Sequence, residues 1–214
     1  VAQVLDAFEE QNAKYIVMEY VRGQDLRSIV KKHGPRSERL VLTWAKEIAE
    51  IMLALHSQEQ AILHRDLTPD NIMEDDKGFL RLIDFGAAHQ LAEGVTGTLI
   101  GKQCYIAPEQ LRGKASLRSD IYSFGCTLYF LLKGRDPVAL RQCDLNDDGN
   151  NYLSADLNEL VAKCTAFEET QRYNSFSEVI VALTALSSKA NRKDVGSFNL
   201  SSVRIPNEVD SDGP

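Results

Sequence analysis

The 214-residue sequence predicts an α+β fold, a small strand-forming N-terminal part followed by a mainly helical body. Two observations predict it. Strand-like apolar runs crowd into the first twenty residues, and segments with apolar residues every three or four positions fill most of the chain from Ser37 onward.

The elements follow in order. The apolar segment Val4 to Phe8 and the run Tyr15-Ile16-Val17-Met18-Glu19-Tyr20 flank a polar turn, Glu9 to Lys14, and predict a hairpin ended by Gly23. Asp25 is placed to cap a short helix running to about Lys32 and closed by Gly34-Pro35. From Ser37 a longer helix is expected, with Leu40, Trp44, Ile48, Ile51 and Leu55 forming one apolar stripe. Ile72-Met73 and Phe79 to Ile83 flank the polar turn Glu74 to Gly78, as in a small hairpin. Residues 85 to 117 hold Gly86, Gly94, Gly97, Gly101 and Pro108 without clear periodicity, and a loop this long is functional or disordered. Three helical patterns follow, from Leu117 to Lys133, Ser154 to Phe167 and Ser175 to Leu186. After Ser187 the chain turns polar, which predicts a mobile tail over 188 to 214.

Apolar residues make up 43% of the chain, enough for a sizeable core in one domain. Lys and Arg total 24 against 31 Asp and Glu, and that acidic balance argues against broad nucleic-acid binding. Cys104, Cys126, Cys143 and Cys164 form no C-x-x-C pair, so zinc is not expected and reduced thiols in a cytoplasmic protein are. The longest apolar stretch, Ile121 to Leu132, is too short to span a bilayer.

The chemistry concentrates in His64-Arg65-Asp66-Leu67-Thr68-Pro69-Asp70-Asn71, followed by Asp84-Phe85-Gly86. This supplies a carboxylate, an amide five residues later, and a second carboxylate beyond a hairpin. Phosphoryl transfer needs such a set: a group to orient the nucleophile and oxygen ligands for magnesium. The run resembles the H-R-D-x-x-x-x-N and D-F-G motifs of eukaryotic-type protein kinases, Ala107-Pro108-Glu109 resembles their A-P-E, and residues 119 to 125 resemble their central helix. The phrasing from Tyr105 to Gln110 looks most like the bacterial serine/threonine branch.

The resemblance implies a protein-kinase-like fold, with residues 1–20 a remnant of the small lobe, 21–187 the large lobe and 188–214 a tail. It implies ATP and Mg2+ as cofactors and a protein hydroxyl as acceptor. Asp66 would accept or orient the acceptor proton, and Asn71 and Asp84 would hold the metal. Met18 to Val21 would form the hinge, with backbone groups of Glu19 and Val21 on adenine, Asp25 on ribose and Met73 under the base. His64 and Phe85 would be packing residues. Arg65 implies control by phosphorylation of the loop, at Thr96 or Thr98. Glu109 and Arg172 resemble the family's buried ion pair.

Two positions depart from the pattern. Where the family carries Lys two residues after the catalytic Asp, this chain has Thr68; where it carries Thr in the G-T-x-x-Y element, this chain has Lys102. One expectation is that Lys102 supplies the ammonium from the opposite side and Thr68 the hydroxyl; the other is that Lys102 is a solvated loop lysine and the site is impaired. The Gly-rich loop, strand Lys and helix Glu of the small lobe are also expected upstream of the first residue, so a truncated kinase is expected, with poor activity for this chain alone. A pseudokinase or docking module is the rival reading, and a small-molecule kinase a more distant one. Asp144-x-Asn146-x-Asp148-Gly149 begins like a calcium loop, but Ala155 stands where the bidentate Glu belongs, which predicts a surface loop.

Overall fold

A computed structural model describes residues 1–11, 13–84, 103–149 and 152–196. In chain order the elements are β1 (Val4–Glu10), β2 (Ala13–Met18), β3 (Gly23–Asp25), α1 (Leu26–His33), α2 (Glu38–His56), β4 (Ile72–Asp75), β5 (Leu80–Leu82), α3 (Leu117–Lys133), α4 (Ala155–Cys164) and α5 (Phe176–Gly196).

β1 and β2 form the expected antiparallel hairpin, with Phe8 opposite Tyr15 and their rings stacked at 5.1 Å. The strands take up most of the polar stretch at 9–14 that reads as a turn, because every side chain of β1 is exposed and polar residues cost nothing there. β3, β4 and β5 form a second antiparallel sheet, in which Asp25 faces Met73. Backbone bonds from Ala2 N to Leu82 O and from Glu19 N to Gln3 O run alongside the two sheets.

The helices begin where short polar side chains can accept backbone donors. Asp25 caps α1 by accepting from Ser28 N, and Ser37 caps α2 by accepting from Leu40 N. Ser116 and Ser119 close a reciprocal cap on α3, and Gly134 ends it in the left-handed conformation at φ 69°. From Ser119 to Lys133 every residue of α3 is buried, so this helix is the axis on which the rest packs. At Gly125 an added Cβ would lie 2.6 Å from Cys164 Cβ and from Thr165 Cγ2, so only glycine permits this approach of α3 to the end of α4. Phe176 of α5 meets Phe124 of α3 and His56 of α2 edge-on, at 5.5 and 5.3 Å.

One buried face and two helix ends differ from expectation for physical reasons. On α2, Val41, Ala45, Ala49 and Met52 are buried along with Trp44 and Ile48, whereas Leu40, Ile51 and Leu55 are only partly so. The helix packs on both α3 and α5, so its buried face is wider than one stripe. α4 stops at Cys164, where the Thr165 hydroxyl donates back to Val161 O and accepts from Cys143 N. α5 runs on to Gly196, past the expected end near Leu186; a helix with one face in solvent needs no further apolar residues, and Lys189 pairs with Asp156 of α4 at 2.6 Å. Residues 197–214 lie outside the described ones.

All four cysteines are free and buried. Burial pushes the Cys104 thiol up to about 11 and raises Cys126 and Cys164 as well, so these sulfurs stay protonated at neutral pH. The calcium-like loop closes on an internal cation: Lys133 Nζ donates to Leu145 O at 2.8 Å and pairs with Asp148 at 2.7 Å, while Asp147 accepts from Tyr129 and Arg135. Among the described residues no helix is long and apolar enough to cross a membrane.

Candidate active site

The segment 64–71 has no regular structure of its own before its last turn, so its shape is imposed from α3. Asp120, fully buried in the first turns of α3, accepts from His64 N at 2.9 Å, from Arg65 N at 2.8 Å and from His56 Nε2 at 2.9 Å. Two turns along, the Thr127 hydroxyl donates to Leu67 O at 2.9 Å, and Gln110 Nε2 donates to Arg65 O at 2.7 Å. These bonds hold Arg65 at φ 66°, a left-handed conformation that a side chain adopts only under external constraint.

The loop then turns on itself. Thr68 N donates to Asp66 O and Asn71 N to Thr68 O, both at 3.0 Å, across a short 3-10 turn over Pro69–Asn71. Asn71 Nδ2 donates to both Asp66 O and Asp66 Oδ2 at 2.8 Å, which fixes the carboxylate and reserves the amide oxygen for another partner. Ile83 N donates to Asn71 O at 2.9 Å and so brings the end of β5 beside the loop. Asp84 follows directly, exposed and at φ 57°. His64 is fully buried, and burial lowers its pKa against the opposing pull of Asp120, Asp66 and Asp84. It stands as a neutral packing imidazole, with Nδ1 accepting from Asp66 N at 3.3 Å.

The donor set fits magnesium. Asp84 offers a carboxylate and Asn71 an amide oxygen, hard ligands of the kind that bind Mg2+ while water and phosphate complete the octahedron.

Of the residues expected to contact a nucleotide, Met18 ends β2 and Val21 is half-buried. The Glu19 N–H is already given to Gln3 O, so of its backbone only the carbonyl remains for a ligand. Asp25 of β3 and Met73 of the central strand β4 are cross-strand partners, both half-buried. The Asp25 carboxylate also accepts from Ser28 N and Ser28 Oγ, at 2.8 and 2.7 Å. Thr68 is fully buried and its hydroxyl makes no hydrogen bond among the described residues. Lys102, Phe85, Gly86, Thr96 and Thr98 lie outside the described residues; Arg65 is half-buried and engaged.

The pair expected between Glu109 and Arg172 is present. Arg172, fully buried, donates through Nη1 and Nη2 to the two Glu109 oxygens at 2.7 and 3.0 Å, and its other donors reach Ala166 O, Arg118 O and Phe167 O. Burial pushes the Glu109 carboxyl up, but the Arg172 fork and the Ser119 hydroxyl outweigh it and hold the group below its ordinary value.

The sequence pattern of the protein kinase domain matches residues 1–188. The chain belongs to the protein kinase domain family. A probable serine/threonine-protein kinase of Clostridium acetobutylicum is 30% identical over 200 residues, covering 86% of this chain and 30% of that protein. The serine/threonine-protein kinase PknB of Mycobacterium tuberculosis is 36% identical over 184 residues, covering 77% of this chain and 29% of that protein. A crystal structure of Rad53 residues 1–466 in complex with AMP-PNP superposes with TM-score 0.69 at 26% identity, over 87% of this chain and 50% of that one. The chain therefore spans less than a third of the length of these curated relatives. By family it is an ATP-dependent protein kinase domain of the serine/threonine type.

Within this kinase domain, the motif carried the reacting groups into view but not their supports. Asp120, Thr127 and Gln110 act on the catalytic loop from 45 to 60 residues away in sequence. Of these, Asp120 lies within the Ser119–Gly125 resemblance and Gln110 within the Tyr105–Gln110 phrasing, whereas Thr127 lies in neither.

Proposed function

We propose that the intact protein transfers the γ-phosphate of ATP to a serine or threonine hydroxyl of a protein substrate in the cytoplasm. The observation that carries this reading is the catalytic loop pinned to α3, with Asn71 holding the Asp66 carboxylate at 2.8 Å. Asp66 orients the acceptor hydroxyl and takes up its proton as the bond to phosphorus forms. Asn71 and Asp84 would hold Mg2+, which when bound neutralises charge on the phosphate oxygens. Met18, Glu19, Val21 and Asp25, from the end of β2 to the end of β3, together with Met73 of β4, would seat adenine and ribose. The free, buried cysteines support a reducing compartment.

A magnesium titration of phosphotransfer by the intact protein tests the metal assignment. Asp84→Asn is expected to raise the Mg2+ concentration for half-maximal rate by about tenfold or more, the scale of losing a charged ligand. An unchanged Mg2+ requirement contradicts it, and no transfer under any condition favours a docking module instead.

We also propose that Thr68 and Lys102 act as a pair beside Asp66, the lysine supplying the ammonium for the transferred phosphate and Thr68 a hydroxyl. The enclosed Thr68 hydroxyl, bonded to nothing among the described residues, supports a partner from outside them. In a double-mutant cycle, Thr68→Ala and Lys102→Ala are expected to be non-additive in kcat/KM by about 0.5–3 kcal/mol. Additive losses contradict the pairing.

A further inference from the structure

Arg27, in the first turn of α1, lies at the centre of a charge cluster that the phosphotransfer residues do not use. Its guanidinium donates from Nε to Asp70 Oδ2 at 2.7 Å, from Nη1 to Asp136 Oδ1 at 2.9 Å and from Nη2 to the Tyr105 hydroxyl at 3.1 Å. Tyr105 in turn donates to Asp136 Oδ1 at 2.6 Å. The guanidinium carbon lies 4.5 Å from the centroid of the Phe130 ring. The slot is thus built as a guanidinium receptor: two carboxylates and a hydroxyl accept from the fork, and an aromatic ring lies beside it.

Its placement matters more than its stability. Asp70 belongs to the catalytic loop, between Thr68 and Asn71; Tyr105 opens the segment leading to Ala107-Pro108-Glu109; Asp136 follows the end of α3. The Arg27 side chain is 14% exposed, while Asp70 and Asp136 are 37% and 39% exposed, so the cation is enclosed and the two carboxylates form the outer wall. Asp70 follows Asp66 by four positions in the same loop, so a protein segment that offered its hydroxyl to Asp66 would pass this wall.

We propose that Arg27 is a specificity-determining residue, filling the acidic slot of Asp70, Asp136, Tyr105 and Phe130 with the chain's own guanidinium and so excluding acceptor segments that carry Arg or Lys there. One net negative charge remains on the cluster. The oxygens and ring face that would orient a second guanidinium are nevertheless taken, and an incoming cation meets a like charge at contact distance. With Arg27 removed, the slot becomes a site for a basic side chain. The inference rests on the phosphotransfer reading for the identity of the segment, but not for the existence of the slot.

The experiment uses the intact protein and paired peptides that differ only by Arg or norleucine at each position flanking the acceptor hydroxyl. The wild type is expected to treat each pair alike within about twofold, whereas Arg27→Met gains about tenfold or more for Arg at one position, the worth of a charge-assisted fork. Arg27→Lys keeps a cation in the slot and is expected to stay at the wild-type ratio, which a purely structural role would not distinguish from Met. Peptide binding in an Asp66→Asn background supplies the same ratios without catalysis, so an inactive wild type overturns the phosphotransfer reading while the slot is still decided. If Arg27→Met does not fold, Arg27→Gln carries the test with a smaller gain of the same sign. No gain for Arg at any position in the folded variant, or a wild type that already prefers Arg, overturns the proposal.

Discussion

Asp120→Ala is expected to destabilise the kinase domain by about 3–5 kcal/mol, the scale of breaking a buried hydrogen-bond network and stranding its donors. The carboxylate is fully buried and accepts three hydrogen bonds, from His64 N, Arg65 N and His56 Nε2. Alanine leaves two enclosed backbone donors without acceptors, at about 1–3 kcal/mol each. The same change releases Arg65 from φ 66°, and relaxation toward negative φ carries Asp66 with it. Phosphotransfer should therefore fall further than nucleotide affinity does, even at temperatures where the variant is folded. Urea unfolding gives the first quantity and single-turnover kinetics the second; a loss below about 1 kcal/mol, the size of an ordinary substitution, contradicts this role for Asp120.

Arg172→Met is expected to cost a similar amount, about 3–5 kcal/mol. Methionine matches the stem but leaves the Glu109 carboxylate, 12% exposed, without its cation and three carbonyls without donors. Arg172→Lys should recover only part of the loss, because an ammonium cannot span both Glu109 oxygens and the three carbonyls at once. The pH dependence has a definite sign. The Glu109 carboxyl is held below its ordinary value, so the pair's contribution is fully present above the unfolded pKa, about 4.3, and is lost as pH falls through the folded one. The gap in unfolding free energy between wild type and Arg172→Met is accordingly expected to be widest near neutral pH and to shrink below about pH 4. A gap that grows on acidification contradicts the pairing.

What was legible in the sequence was local. The bounds of α3, the caps at Asp25 and Ser37 and the hairpin of β4 and β5 follow from neighbours within a few residues, where period and capping chemistry act. Asp66, Asn71 and Asp84 were legible as a motif, and in the structure Asn71 Nδ2 donates to the Asp66 carboxylate. The extension of α5 to Gly196 was not, since a helix over 187–196 carries no apolar face to announce it. Nor was the reach of Arg27 to Asp70, Tyr105 and Asp136, which are 43, 78 and 109 residues away. Pairing over such distances leaves no period and no spacing rule. The calcium-like run at Asp144 shows the converse: a local pattern was visible, and its occupant, the Lys133 ammonium, came from the end of a helix that the pattern could not name.

The central claim is that the α3-held loop performs phosphotransfer through Asp66. Single-turnover transfer from saturating ATP and Mg2+ by the intact protein, compared with Asp66→Asn, measures it directly. The account predicts a fall of about 10²–10⁴-fold in the rate of transfer, the usual worth of a positioned acid–base group, with ATP affinity changed by no more than a few fold. Equal rates for the two proteins, or a loss that tracks ATP affinity alone, would contradict it.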